Sequence, residues 1–235
     1  MQKDHYTLID HLLTIPEAQI KIFDLEWQSA FYTVFHQTRA SRLLHAFCMA
    51  PIVFSLFTLA SYWNIGGAHI IESLPHLTAV NGAFIVLIVL TLWYLIMDST
   101  IGMATFPILI GFWGLANGFN YSFGTEGWYI ALGLLFTFSF FQTISHQPEP
   151  VPPPHSGTQS FLSYREWNKT ASFGNKTKVI ALLPIFVMIE LISSPRLLPI
   201  QMLRLFHKFG YKPELLKRTE EGAKRVLASG DYNAY

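Results

Sequence analysis

Between Arg42 and Arg165 the chain carries no lysine or arginine, and over residues 43–148 its only charges are Glu72, Asp98 and Glu126. Few folds tolerate so long a stretch without charge. The three acids divide it into four uncharged segments, 43–63, 77–97, 101–120 and 128–145. Each is close to the roughly 20 apolar residues that a helix needs to cross a bilayer. The acids fall between the segments, where a chain re-enters water. Charged residues make up 13% of the chain, against about 25% in a soluble domain. The pattern predicts an all-α, polytopic membrane protein with four transmembrane helices, and a buried soluble core is the lesser alternative.

All 16 basic residues flank this region, with Lys3, Lys21, Arg39 and Arg42 before it and the rest from Arg165 onward. The positive-inside rule places both termini in the cytoplasm, which an even number of spans permits. Glu72 and Glu126 then face the far side and Asp98 the inner side. Near-zero net charge argues against nucleic acid as a partner. A single cysteine excludes an internal disulfide framework and a cysteine zinc cluster. The 20 phenylalanines and six tryptophans suit lipid contact and interfacial anchoring.

Four parts follow. Residues 1–42 are read as a cytoplasmic amphipathic segment. It contains no apolar signal-peptide run, and Ile20, Phe23, Trp27 and Phe31 recur along one helical face after Pro16. Residues 43–146 are the bundle. Residues 147–178 are a proline-rich cytoplasmic linker, with too many prolines near its start for a helix. Residues 179–235 form re-entrant or interfacial helices and a basic tail. Within them, 179–194 is apolar but short and contains Pro184 and Glu190, and 196–209 reads as an interfacial helix starting near Pro199.

The histidines are the residues with chemistry to offer. Of nine, His36, His45 and His146 lie near the inner face in this topology. A lone interfacial histidine is ordinarily a hydrogen-bonded surface group. Three at one depth make a candidate metal site. His69 and His76 lie on the opposite side, and His5, His11, His155 and His207 read as surface residues. Nine positions separate His36 from His45 and rotate about 900° on a helix, half a turn off the same face. One straight helix cannot aim both at one ion, so a kink or a helix start is expected between them. Tyr32 with His36, and Ser41 with His45, share a face at four-residue spacing. HExxH, ExxH on a long helix, and the histidine boxes of membrane desaturases are absent. So are GxSxG, a P-loop and a dinucleotide fingerprint. Cys48 sits within an apolar segment, as a small hydrophobe does.

The stretch from Phe31 to Pro51 resembles a motif, Y-x3-H-x4-N-x3-H-x5-P, that opens the iron-dependent 2-hydroxy fatty acid dioxygenase family. The fungal member of that family acts in phytosphingosine breakdown. Tyr32, His36, His45 and Pro51 match, and Ser41 stands in place of the usual asparagine. Three further stretches are similar to family patterns: Trp93 and Tyr94 leading to Asp98 and Gly102; Gln142 leading to His146; and Pro184 to Glu190, followed by Gly210-Tyr-Lys-Pro-Glu214. The sequence after His146 departs, with Gln147 and the proline tract replacing the family's Phe-Glu and R-x-P-A-L run. An insertion separates Glu190 from Gly210.

The resemblance implies an Fe(II)- and O2-dependent membrane dioxygenase that cleaves a long-chain 2-hydroxy fatty acid to the acid one carbon shorter. His36, His45 and His146 are then the metal ligands. Asp98 is a fourth ligand or a partner that holds a ring tautomer. Tyr32, Gln142 and Arg42 orient substrate or oxygen, and Arg42 is the natural partner of a carboxylate. Two alternatives stand beside this reading: a metal-dependent membrane enzyme acting on another lipid-like substrate, and a non-enzymatic scaffold or lipid-binding protein.

Overall fold

The computed structural model describes residues 21–146, 149, 172–174 and 183–229. Pro16, Ile20, His5, His11, His155, Val179 and most of the proline-rich linker lie outside them. Six helices and one small sheet make up the described chain: α1 (Leu25–Phe35), α2 (Arg39–Ser61), β1 (Asn64–His69), β2 (Ala79–Asn81), α3 (Gly82–Met97), α4 (Ser99–Ile144), α5 (Leu183–His207) and α6 (Pro213–Ser229). The all-α expectation therefore needs one correction. The connection after α2 is an antiparallel hairpin of β1 and β2, and α3 starts at Gly82 rather than near residue 77. Local polar groups make this hairpin. The Asn64 side chain accepts from the backbone N–H of Gly66 and Gly67, both at positive φ, and Thr78 binds Ile71 at the other end.

α4 is two rods rather than one. Gly124 has φ 50 and ψ −136, a conformation that suits glycine, and the helix axis turns there. Along α3 and the first arm, the backbone at Leu95 meets Gly102, Phe84 meets Trp113 at 5.5 Å, and Asn81 donates to Asn117 at 2.8 Å. These pairs run antiparallel. The second arm runs antiparallel to α2. Tyr62 donates to the Gly124 carbonyl, Phe47 meets Phe138 at 5.8 Å, and Ser145 bonds His45 at 2.9 Å. Four rods thus alternate in direction, and their ends gather His45, Asp98 and Ser145 on one side. Two of these helices, Arg39–Ser61 and Ser99–Ile144, are long and apolar enough to cross a membrane; α3 is shorter, at 16 residues.

The buried interior lies between α2, α3, α4 and α5, around Val53, Phe57, Leu87, Leu90, Tyr94, Leu109, Trp113 and Leu198. The outward faces are apolar as well. Leu43, Phe47, Ile88, Leu92, Ile96, Met103, Leu115, Phe136 and Phe140 are all exposed.

The C-terminal part differs from the expected re-entrant segment followed by an interfacial helix. α5 is one helix through both Pro195 and Pro199. Proline at 199 has no N–H for the carbonyl four residues earlier, and that carbonyl would be an orphan in a buried setting. The Tyr94 hydroxyl donates to the Pro195 carbonyl instead. Of the apolar residues that suggested an interfacial helix, Leu197 and Leu198 are buried against the bundle, together with Ile200 and Leu203, while Leu205 and Phe209 are exposed. α6 packs on α1 through Val226, Ala223, Val34 and Phe35, and Arg218 pairs with Glu26 at 2.7 Å.

Asp98 fastens the turn between α3 and α4. Its carboxylate caps α4 by accepting from Ile101 N–H at 3.0 Å, and also accepts from the Tyr211 hydroxyl at 2.9 Å. Lys212 completes the group with Nζ at 2.6 Å. A side chain at Gly102 would strike the backbone of Leu95 at 2.7 Å, so the turn requires glycine there. Burial alone would raise the Asp98 pKa, but the bonds from Lys212, Ile101 and Tyr211 outweigh it and hold it below the ordinary value. Lys212 is raised, chiefly by its bond to Asp98. The depressed carboxylate contributes stability above its ordinary range, which is lost as pH falls through its folded value. The raised lysine contributes stability below its ordinary value, which is lost as pH rises through its folded one. The plateau lies between. At neutral pH, Asp98→Asn should lower stability by about 1–3 kcal/mol, the range for a charge-assisted bond and a lost cap. Most of that difference should vanish in acid, as thermal unfolding in detergent at several pH values would read.

Candidate metal centre

α1 is launched by Asp24, whose carboxylate accepts from Trp27 N–H, and it ends at His36. Thr38 then caps a new helix by accepting from Ser41 N–H. A helix start therefore falls between His36 and His45, as their spacing demanded. His45 enters from the beginning of α2, and His146 follows the end of α4. The three rings meet. Their centroids are 4.1 Å apart for His36 and His45, 4.8 Å for His36 and His146, and 4.7 Å for His45 and His146. One nitrogen from each lies within 4.8 Å of the others. All three residues are buried.

Hydrogen bonds fix which nitrogen each ring can offer. His36 Nδ1 lies 2.8 Å from the Tyr32 carbonyl, and His45 Nδ1 lies 3.1 Å from the Ser41 carbonyl. A carbonyl only accepts, so both Nδ1 atoms carry the proton and both Nε2 atoms keep a lone pair. The four-residue spacing of Tyr32 with His36 and of Ser41 with His45 is the basis of this arrangement. Ser145 adds to it: its hydroxyl donates to the Gln142 carbonyl and accepts from His45 Nδ1. His36 Nε2 is buried and has no hydrogen-bond partner among the described residues. Burial pushes the His36 pKa well down, and the neighbouring His45, His146 and Arg204 push it further. The ring is thus neutral, the form that binds metals.

Glu149 is the residue that sequence reasoning missed. It lies in the segment read as a linker, yet it is 1% exposed. Its carboxylate accepts from the backbone N–H of Gln37 at 2.8 Å, from Thr38 N–H at 3.1 Å and from the Thr38 hydroxyl at 2.7 Å. It is three residues beyond His146 and grips the turn that joins His36 to α2. One carboxylate thus ties the His146 strand of chain to the other two histidines. The signal in the sequence was a single acidic residue among prolines.

The other expected site residues divide. Tyr32 stacks on His36, with centroids 4.1 Å apart, and its hydroxyl accepts from Gln201. Gln142 is fully buried one turn before His146. Its Oε1 accepts from Ser194, while its Nε2 has no partner among the described residues. Arg42 is half-buried in the first turn of α2. Asp98 departs from expectation: it is not one of the clustered residues. Its oxygens are engaged by Ile101, Tyr211 and Lys212, and the tautomers of His36 and His45 are set by backbone carbonyls instead.

The donor set fits a metal. Bonds of about 2.0–2.1 Å to three imidazoles put the nitrogens a little over 3 Å apart, so the present triangle needs only a modest contraction. Three neutral imidazoles suit iron, zinc, copper or nickel. With all three ligands on the protein side, other positions stay open for small molecules. Comparisons with family models, curated proteins and solved structures give no match to this chain. Two outcomes are expected from metal analysis of purified protein. Replacing any one of His36, His45 or His146 by alanine should abolish stoichiometric metal. Glu149→Gln, which keeps the shape but weakens the grip on Gln37 and Thr38, should lower affinity by roughly 10- to 100-fold, the usual cost of losing support behind a ligand.

Proposed function

We propose that the protein is a four-span, Fe(II)- and O2-dependent membrane dioxygenase of the 2-hydroxy fatty acid type. The observation that carries this reading is the meeting of His36, His45 and His146, which come from two separated stretches resembling that family. The other two stretches also meet, through Asp98 with Tyr211 and Lys212. Residues that resemble a family piecewise along the chain but touch in space support a shared design.

In the proposed reaction the hydroxyl-bearing carbon becomes the new carboxyl and the old carboxyl departs as carbon dioxide. The bond between those two carbons breaks. The substrate gives four electrons to O2, one oxygen atom enters the new acid, and the other leaves as water, so no further reductant is needed. An iron ion held by His36, His45 and His146 would supply Lewis-acid and redox chemistry for the hydroxy acid and oxygen. The residues of the chain do the rest. The carbonyls of Tyr32 and Ser41 hold the two imidazoles with Nε2 inward. Glu149 keeps the turn after His36 closed. Gln142 offers an unused amide N–H near the ligands, and burial, which raises the Tyr32 phenol pKa, keeps it protonated as a donor.

The apolar outer faces of the rods and the two helices of spanning length support a membrane setting. In it, α2, α3 and both arms of α4 each cross, both termini are cytoplasmic, and the histidines sit at the inner face. A long acyl tail then lies among apolar rods while its polar head meets the metal. Each buried methylene is worth about 0.8 kcal/mol, so affinity should climb with chain length until the tail outgrows its space.

Purified protein loaded anaerobically with Fe(II), then given oxygen and 2-hydroxypalmitate, should yield pentadecanoic acid by mass analysis. An iron-loaded protein that gives no shortened acid at any of several chain lengths would refute this substrate class. Product persisting after His36→Ala and His45→Ala would refute the assigned residues. Cysteines introduced beside Glu72 and Glu126 should react with an impermeant reagent applied outside, and one beside Asp98 should not. The reverse pattern would invert the topology.

A further inference from the structure

Two cationic side chains act on Tyr32, the ring stacked on His36; the nearby Glu149 carboxylate is already engaged by Gln37 and Thr38, and among the described residues no ion pair closes on either cation. Arg204, in the last turn of α5, places its guanidinium 4.7 Å from the centre of the Tyr32 ring, the same ring that stacks on His36. Its Nη2 donates to the Thr33 hydroxyl at 2.9 Å. Its Nε is buried and has no partner among the described residues. Arg42 lies close enough for its charge to act on both Tyr32 and Arg204. Neither arginine forms an ion pair among the described residues. Glu220 is the one carboxylate whose field favours the charged Arg204, and it does not close to a salt bridge. Arginine is always charged, so the fold holds two like charges near one another at a partly desolvated place. Such an arrangement is costly unless something negative completes it.

We propose that Arg204, together with Arg42, forms the subsite for the carboxylate of a long-chain acid, next to the His36 side of the metal centre. The inference rests on the reading of the protein as a fatty acid enzyme and adds Arg204 and α5 to its binding machinery. The planar guanidinium of Arg204 is steadied by the Tyr32 ring and Thr33, leaving its unused Nε–H as a donor to an incoming oxygen. Arg42 approaches from α2. The carboxylate is held between two helices that meet at the histidines, and the carbon next to it is presented to them.

The test compares two amphiphiles of equal length, 2-hydroxypalmitate and hexadecane-1,2-diol, which differ at the carboxylate. Equilibrium binding is measured under anaerobic conditions on the full-length protein in detergent, with metal content determined in parallel. The native protein should prefer the acid. Arg204→Met and Arg42→Met should each reduce that preference roughly 10- to 100-fold, the cost of one charge-assisted hydrogen bond, with little change for the diol. Arg204→Lys should restore part of it. An acid preference untouched by Arg204→Met would overturn the subsite. So would equal losses for acid and diol, since these mark Arg204 as packing for Tyr32 alone. The two readings fail separately. An arginine-dependent acid preference without any shortened product keeps the subsite and removes the reaction, whereas shortened product from a protein with no acid preference does the opposite.

Discussion

Three imidazoles facing one another in a buried space cannot all be charged, and they cannot hold that place without support. Each needs a neutral ring, a fixed tautomer and a backbone that does not drift. The first two come from local geometry, because a histidine four residues after a carbonyl at a helix end can return its Nδ1 proton to that carbonyl. His36 uses Tyr32 in this way and His45 uses Ser41. The third comes from Glu149, whose oxygens collect two backbone N–H groups and a hydroxyl from the turn beside His36. An ionised carboxylate receiving several donors at once is among the stronger polar arrangements available in a protein interior.

The rest of the fold follows from bringing residue 36 to residue 146. His45 and His146 meet because the second arm of α4 returns alongside α2, and it returns because Gly124 reverses the chain. The first arm stands where it does because Asp98 and Gly102 allow α3 and α4 to turn tightly against each other. Asp98 also holds Tyr211 and Lys212, which fixes the chain just after α5. That brings Arg204 and Gln201 to Tyr32, and Arg196 to Gln28 at 3.4 Å. The residues gathered at this end of the rods therefore form two polar nodes, one at the histidines and one at Asp98, with α5 reaching between them.

Much of this was legible in the sequence, for identifiable reasons. Charge segregation located the apolar rods, since Glu72, Asp98 and Glu126 fall between them or at their ends. Helical arithmetic required a break between His36 and His45, and Thr38 supplies it. What stayed hidden was set by tertiary contact. No local rule carries a helix through Pro195 and Pro199; the Tyr94 hydroxyl does so from another rod. The apolar face of α5 looked interfacial because a helix facing lipid headgroups and one facing protein show the same periodicity. The resemblance cast Asp98 as a ligand or as the partner of one, but its helix-capping position and the lysine 114 positions later claim it first. Glu149 was hidden by its neighbours, as a proline-rich stretch reads as a spacer until its one acid is found buried.

The arrangement also bears on why a bundle of this kind would place polar chemistry at one end only. A polar group in the middle of apolar rods must be satisfied within the protein, whereas one at their ends can be reached from water. Among the buried hydroxyls along the rods, Ser55 and Thr105 bond back to Pro51 and Gly102 of their own helix, whereas those of Ser41, Thr58 and Ser139 have no partner among the described residues. A hydroxyl has one oxygen to offer, so these are simply desolvated. His36 Nε2, Gln142 Nε2 and Arg204 Nε, also unpartnered among the described residues, belong to side chains that have a second polar atom held, by Tyr32, Ser194 and Thr33. Each side chain is thus anchored by one atom and leaves another without a partner. A fold that merely needed these positions filled would not repeatedly secure one end of a polar side chain and desolvate the other. That pattern is what a preorganised binding site requires, because the cost of ordering the side chain is met before the ligand arrives.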